Sequence, residues 1–229
     1  MMDELIVVGR VLQASTTRLT VGCQPPIAAQ NQAIPAFGSL VKAAGPALSL
    51  PDEAEGEVVT YGLVHNVAVE DDLFVRQLVA AGMDDEVYIA DQRQRRQVPV
   101  IVEVLLVGFG SPFCRPLDGT MQDAGGVRID PQHTFPPQPP STLDKVYACN
   151  SAEIVRFTVR HDWLHAILVA PDIPTDELIA AALGAAAQAR PPDQREAYLV
   201  TAGRELARLL AQDPIRLDGI LRDFSRSSL

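Results

Sequence analysis

The chain has 229 residues, a formal net charge of −10, and hydrophobic and charged fractions of 47% and 21%, which are ordinary for a folded globular protein. Residues 1–110 carry most of the acidic excess, with 14 acidic side chains against 7 Lys and Arg. A protein that grips nucleic acid by itself needs a basic surface to neutralise phosphates, so the charge argues against direct binding of DNA or RNA.

The first 110 residues are predicted to form short strands separated by Gly- and Pro-marked turns. In Arg18–Cys23, apolar and polar side chains alternate, which is typical of a strand with one buried face. The run Val98–Phe109 is apolar almost throughout and predicts a strand buried on both faces. Such short strands favour a closed β-barrel, because closure removes exposed sheet edges. The predicted strands are Leu5–Leu12, Arg18–Cys23, Phe37–Ala43, Val58–Val67 and Val98–Phe109, with a short helix over Asp71–Gly82.

The remainder of the chain contains a Pro- and Gly-rich segment followed by segments of helical periodicity. Prolines and glycines accumulate over 111–142, which predicts a linker or irregular loop. After it, Glu153–Val159 alternates like a strand, and strand and helix both stay open there. The later segments have helical periodicity, and Asp213-Pro214 predicts a helix start with Asp as cap and Pro at the first position. We therefore expect an α+β protein with three parts: a small closed β-barrel over 1–110, the linker over 111–142, and a mainly α-helical domain over 143–229.

Cysteine usage and the chain start indicate a compartment. The three cysteines, Cys23, Cys114 and Cys149, are an odd number without a CxxC pair, which favours reduced thiols. The acidic Met-Met-Asp-Glu start lacks the basic region of a signal peptide, and no apolar run approaches the ~20 residues of a membrane helix. We expect a cytoplasmic protein without a membrane partner.

Nucleotide-binding signatures are missing from the sequence. There is no GxxxxGK[ST] loop, and the only lysines are Lys42 and Lys145. The tract Gly108-Phe109-Gly110 begins a GxGxxG pattern, but Phe113 stands where the third glycine belongs. We therefore expect no nucleotide cofactor and no ATP hydrolysis by this chain alone.

Two patterns suggest catalysis. His65 with Asp71 or Asp72 and the hydroxyl of Thr60 or Ser39 could imitate a hydrolase site, but no GxSxG motif is present.

The second pattern is a pair of histidines. His161 and His165 are four residues apart and would share one face of a helix, a geometry that can hold zinc. With His65 or His133 they could form a small metal-dependent hydrolase site. The pattern lacks the glutamate of HExxH, and a helix start that buries its apolar neighbours explains the same residues. This hypothesis remains the alternative to a non-enzymatic role.

The strand motifs resemble a known barrel family. They are Val8-Gly9-Arg10-Val11, then Pro35-Ala36-Phe37-Gly38-Ser39-Leu40-Val41, then Tyr61-Gly62-Leu63-Val64. This order is similar to that of the HAS-barrel, the small β-barrel at the N-terminus of HerA-type ATPases and of ATP synthase catalytic subunits. The resemblance covers about residues 4–109 and marks Gly9, Phe37, Gly38, Tyr61 and Gly62 as structural or interaction positions.

The resemblance implies docking or subunit packing, because in the larger relatives the barrel is not the motor. Residues 142–229 are too short for the ATPase domain that follows the barrel in those relatives and lack its phosphate loop, so we expect no counterpart of that family's catalytic residues in this sequence. We expect an adaptor or assembly module without a cofactor, which docks on a HerA-type ATPase or its associated nuclease or else self-associates. An acidic surface would suit a basic protein partner.

Overall fold

A computed structural model describes residues 6–23, 34–45, 48–49, 55–56, 58–69, 77, 80–82, 100–110 and 130–227. Within these residues a closed antiparallel β-barrel precedes five α-helices, which confirms the predicted α+β fold. The strands are β1 (Val7–Ala14), β2 (Arg18–Cys23), β3 (Leu40–Ala44), β4 (Leu48–Ser49), β5 (Glu55–Gly56), β6 (Val59–Val69), β7 (Val100–Gly110) and β8 (Lys145–Ala148). The helices are α1 (Ser151–Phe157), α2 (Trp163–Leu168), α3 (Thr175–Gln188), α4 (Pro192–Leu209) and α5 (Pro214–Ser227).

The barrel does not end at residue 110, the boundary predicted from the sequence. Its strand order is β1-β2-β7-β6-β3-β8, and β8 returns to β1 while β4 and β5 form a separate hairpin. Tyr147 of β8 pairs with Val7 on one side and with Lys42 on the other. The strand that closes the barrel therefore comes from the segment assigned to the helical domain, because four residues are too few for alternation to reveal a strand.

Two hydrophobic cores share the barrel wall. Inside the barrel, valines from β1, β2, β7 and β8 pack together. The outer face of β3, β6 and β7 packs against the helices and forms the second core. Strand β7 serves both cores, since Val104 and Leu106 lie inside the barrel while Leu105 and Val107 face the helices. This arrangement confirms the predicted burial of that stretch on both faces.

Two of the helix starts follow local capping chemistry. The stretch that the sequence left open is helical: Asn150 Oδ1 accepts from Glu153 N at 2.9 Å, and Glu153 Oε2 accepts from Asn150 N at 3.1 Å. This reciprocal capping box fixes the start of α1. At α5, Asp213 Oδ1 accepts from Arg216 N at 3.0 Å, as the Asp-Pro pair predicts.

Two predicted segments lie partly outside the described residues. Of the predicted helix at Asp71–Gly82, Gln77 and Ala80 are helical and Gly82 has φ +66°, while 71–76 and 78–79 are not described. Of the predicted linker, 111–129 lie outside the description and 130–142 form an irregular segment that bridges to β7 through Gln132 and Phe109. None of the described helices combines the length and apolar character that a membrane span requires.

Candidate functional site

A buried ion pair joins the barrel wall to the first helix. Lys42 Nζ on β3 donates to Glu153 Oε1 on α1, and the two residues are only 4% and 2% exposed. The second Glu153 oxygen accepts the Asn150 N–H, so one carboxylate both caps α1 and neutralises the lysine. Buried charges are tolerated when they are paired and hydrogen-bonded, which holds for this pair.

Cys23 is buried and Cys149 is half-buried, and the pKa values of both thiols are raised. Burial raises the pKa of the Cys149 thiol, and the neighbouring Glu153 carboxylate raises it further while Lys42 opposes the shift. Cys23 lies inside the barrel, where burial raises its pKa to about 11. Because the thiolate is the reactive form, neither cysteine is poised as a nucleophile at neutral pH.

His133 connects the irregular segment to the end of α1. Its Nε2 lies 2.9 Å from the Phe157 carbonyl oxygen, so this nitrogen carries the hydrogen, and its ring packs edge-on against the Phe157 ring at 4.7 Å. The other nitrogen, Nδ1, faces the Asp162 carboxylate at 3.7 Å. Burial lowers the His133 pKa, and the Phe157 carbonyl and Asp162 partly oppose that effect. At neutral pH the ring is a neutral donor that fastens the segment to α1.

His161 lies in a second buried polar group, where Arg190 binds the ends of two helices. The Arg190 guanidinium donates to the carbonyl oxygens of Ala186 at 2.6 Å and Thr158 at 3.2 Å, which suits a cation at helix C-termini. The guanidinium carbon of Arg190 also lies 3.6 Å from the centre of the Tyr198 ring. The His161 ring stacks on the same Tyr198 ring, with 5.1 Å between the two ring centres. Burial lowers the His161 pKa, and Arg190 lowers it further.

The predicted histidine pair does not form a site. His161 precedes α2, which begins at Trp163, and is buried against Tyr198, whereas His165 is exposed on that helix. No helical turn therefore places both rings on one face. Among the described residues, no group of three or more His, Cys, Asp or Glu side chains could hold a metal ion.

The barrel–helix interface also contains a small cavity. It lies between Gly38 and Leu40 of the barrel and Phe157, Trp163 and Ala186 of the helices. Its volume of about 10 Å³ matches the space that one water molecule needs. A cavity of this size does not admit an organic substrate.

The three glycines among the motif positions lie where the geometry leaves no room for a side chain. A Cβ on Gly9 would lie 2.2 Å from the Gly22 carbonyl oxygen, and one on Gly62 would lie 2.3 Å from Val104 Cγ1. Gly38 has φ +81°, and a Cβ there would lie 2.5 Å from the Ala181 Cβ of α3. A side chain at Gly38 or Gly62 would therefore collide with its neighbours.

The two aromatic positions lie in different surroundings. Tyr61 is 2% exposed, and its ring centre lies 4.9 Å from that of Phe157. Phe37 lies in a turn and is 38% exposed, because β3 begins at Leu40 rather than at Phe37.

Sequence reasoning missed Lys42, Glu153 and Arg190 as partners in buried polar groups. A lysine inside the apolar run Leu40–Ala44 was a usable signal, because a charge there needs a buried partner. Asn150-x-x-Glu153 was a usable capping-box signal as well. No local pattern marks Arg190, because its partners come from distant helix ends.

Comparison with known proteins gives no assignment. No protein-family model matches the chain, and no curated protein matches it at a significant level.

Proposed function

We propose that this protein is a non-enzymatic adaptor or assembly module, whose barrel docks on a HerA-type ATPase or its associated nuclease or self-associates. The observation that carries the proposal is the unequal use of the barrel wall. Helices of the same chain cover the outer face of β3, β6 and β7, while exposed side chains project from β1 and β8. In the part of the chain that the structure describes, one wall is covered by helices and another presents exposed side chains, and such a wall is suited to bind a protein.

The buried polar groups support a structural rather than a catalytic role for these side chains. Lys42 with Glu153, and Arg190 with the helix ends, are bonded to groups of the same chain and lie away from solvent. A substrate would need an accessible pocket with convergent polar groups. The cavity described above has room for about one water molecule.

The class of partner rests on the motif order, Gly9, then Phe37-Gly38, then Tyr61-Gly62, on a closed six-stranded barrel. Fold likeness by itself does not fix a function. The proposal therefore needs direct recovery of the partner from the cell in which the protein is made.

The test is affinity capture of the tagged protein from its native lysate at low salt, followed by identification of co-purifying proteins. Recovery of a HerA-type ATPase or its nuclease, or a stable oligomer in light scattering, is the expected result. Recovery of the protein alone, as a monomer, would contradict the proposal.

Metal analysis of the same preparation tests the hydrolase alternative. Stoichiometric zinc that is lost in His161→Ala would favour that alternative. A metal-free protein whose His161→Ala variant loses only stability would exclude it.

A further inference from the structure

The strands of the barrel carry a charge opposite to that of the whole chain. Across the six barrel strands the cationic residues are Arg10, Arg18, Lys42 and Lys145, and the single acidic residue is Glu103. Lys42 forms a buried ion pair with Glu153, and the Arg18 guanidinium donates to the Pro171 carbonyl oxygen. Arg10 and Lys145 remain as exposed cations on the wall that the helices leave open.

Arg10 and Lys145 stand directly opposite each other. They are register partners on the antiparallel strands β1 and β8, and both are exposed. Like charges at directly opposed positions destabilise a sheet. Within the described ranges neither cation has a carboxylate within ion-pair distance. The carboxylate of Asp144, which precedes Lys145, instead accepts a hydrogen bond from Ser141 N at 2.7 Å. Among the described residues, two like charges therefore face each other without a carboxylate partner, and an anionic group of a binding partner would neutralise them.

Two exposed leucines flank this pair of cations. Leu12 is 49% exposed, and its side chain lies over Gly22, where a Cβ would come within 3.1 Å of Leu12 Cδ1. Leu143 is 62% exposed and has φ +72°, a backbone conformation that costs energy for a residue with a side chain. Hydrogen bonds hold it there: Leu143 N donates to Val11 O at 2.8 Å, and Arg10 Nη1 donates to Leu143 O at 2.7 Å.

We infer that this surface, the basic wall formed by Arg10, Leu12, Leu143 and Lys145, binds an acidic segment of a protein partner that also carries apolar side chains. Carboxylates of the segment would neutralise the two opposed cations, and its apolar side chains would cover the two leucines. Nucleic acid would satisfy the cations but not the leucines, and the net charge of −10 opposes it. The inference deepens the proposed adaptor function and rests on it.

The probe is a fluorescein-labelled twelve-residue peptide that alternates Leu and Glu, measured by fluorescence polarisation at low salt. The comparison probes alternate Leu with Lys or Ser with Glu, and a labelled single-stranded DNA twelve-mer is the fourth. We expect binding of the Leu/Glu peptide and weaker or no binding of the other three. Equal binding of the Ser/Glu peptide or of the DNA would overturn the inference, because the leucines would then have no role.

The decisive variant is Lys145→Glu, which places a carboxylate opposite Arg10. It should raise the urea midpoint of unfolding, because it replaces a repulsive pair with an attractive one, while weakening binding of the Leu/Glu peptide at least tenfold. Leu143→Gly should weaken binding as well without loss of stability, because glycine accepts the positive φ. The control Arg204→Glu makes the same charge change on α4. Unchanged binding in Lys145→Glu, or an equal loss in Arg204→Glu, would contradict the inference.

Affinity capture separates failure of this surface from failure of the adaptor function. If the wild-type protein recovers no partner and no oligomer, the adaptor function fails and the basic wall fails with it. If Lys145→Glu recovers the wild-type partner in the same amount, the adaptor function stands and the basic wall is wrong.

Discussion

Lys42→Met tests whether the buried ion pair joins the barrel to α1. The change leaves the Glu153 carboxylate buried, at 2% exposure, without its ammonium partner. Removal of one partner from a buried pair typically costs ~3–5 kcal/mol. The Asn150 N–H still stabilises the carboxylate, so we expect a loss near the lower end, about 3 kcal/mol in the free energy of unfolding.

The double variant Lys42→Met/Glu153→Gln removes both charges and keeps the cap, because glutamine also serves at this capping-box position. Replacement of a buried pair by uncharged groups is often neutral, so the double variant should lie within about 1 kcal/mol of wild type. The difference in unfolding free energy between the single and double variants therefore measures the cost of burying the Glu153 carboxylate without its ammonium partner.

Urea unfolding followed by tryptophan fluorescence is the assay. Trp163 is the only tryptophan, is 1% exposed, and belongs to the core that joins the barrel to the helices. The control is Lys145→Met, a change of the same chemistry at an exposed position, which should not lower the midpoint. A loss below about 1 kcal/mol in Lys42→Met, or a double variant as unstable as the single one, would refute the reasoning.

Three further predictions concern a buried histidine, a barrel glycine and a helix glycine. Burial lowers the His161 pKa from 6.5, so the unfolded chain takes up a proton first as pH falls. Stability should therefore drop below about pH 6.5, and His161→Phe should reduce this drop in the urea midpoint, of which a part remains because burial lowers the pKa values of His65 and His133 as well. Gly62→Ala should lower stability by roughly 1–3 kcal/mol, since the new Cβ meets Val104 Cγ1 at 2.3 Å. Gly184→Ala, which meets nothing within 4 Å in the middle of α3, should raise it by roughly 0.5–1 kcal/mol in the same assay.

Local sequence was enough for most elements of the described fold. β2 has the predicted bounds, because the alternation of Arg18–Cys23 persists over six residues. The start of α5 was predictable because the Asp213-Pro214 cap is a contact between near neighbours in the chain. The double burial of β7 was predictable as well, since a strand without polar alternation has no face suited to water.

The candidate site was less predictable, because its contacts join distant parts of the chain. The spacing of His161 and His165 suggested one helical face, but α2 begins after His161, and packing on Tyr198 buries the first ring while the second stays exposed. Periodicity carries no information on where a helix begins when the residue at its N-cap makes no capping bond, as is the case for Asp162.

The sequence by itself determined the α+β class, five of the six barrel strands and the capped start of α5, because these follow from contacts between residues close in the chain. Only the tertiary structure decided that β8 closes the barrel, that the helices cover one wall, and that Arg10 and Lys145 meet on the other. Those features depend on which strands become neighbours, and the pairing of Arg10 with Lys145 joins residues that are distant in the chain. No local pattern records such a pairing, since it arises only when burial of both cores selects one closed arrangement.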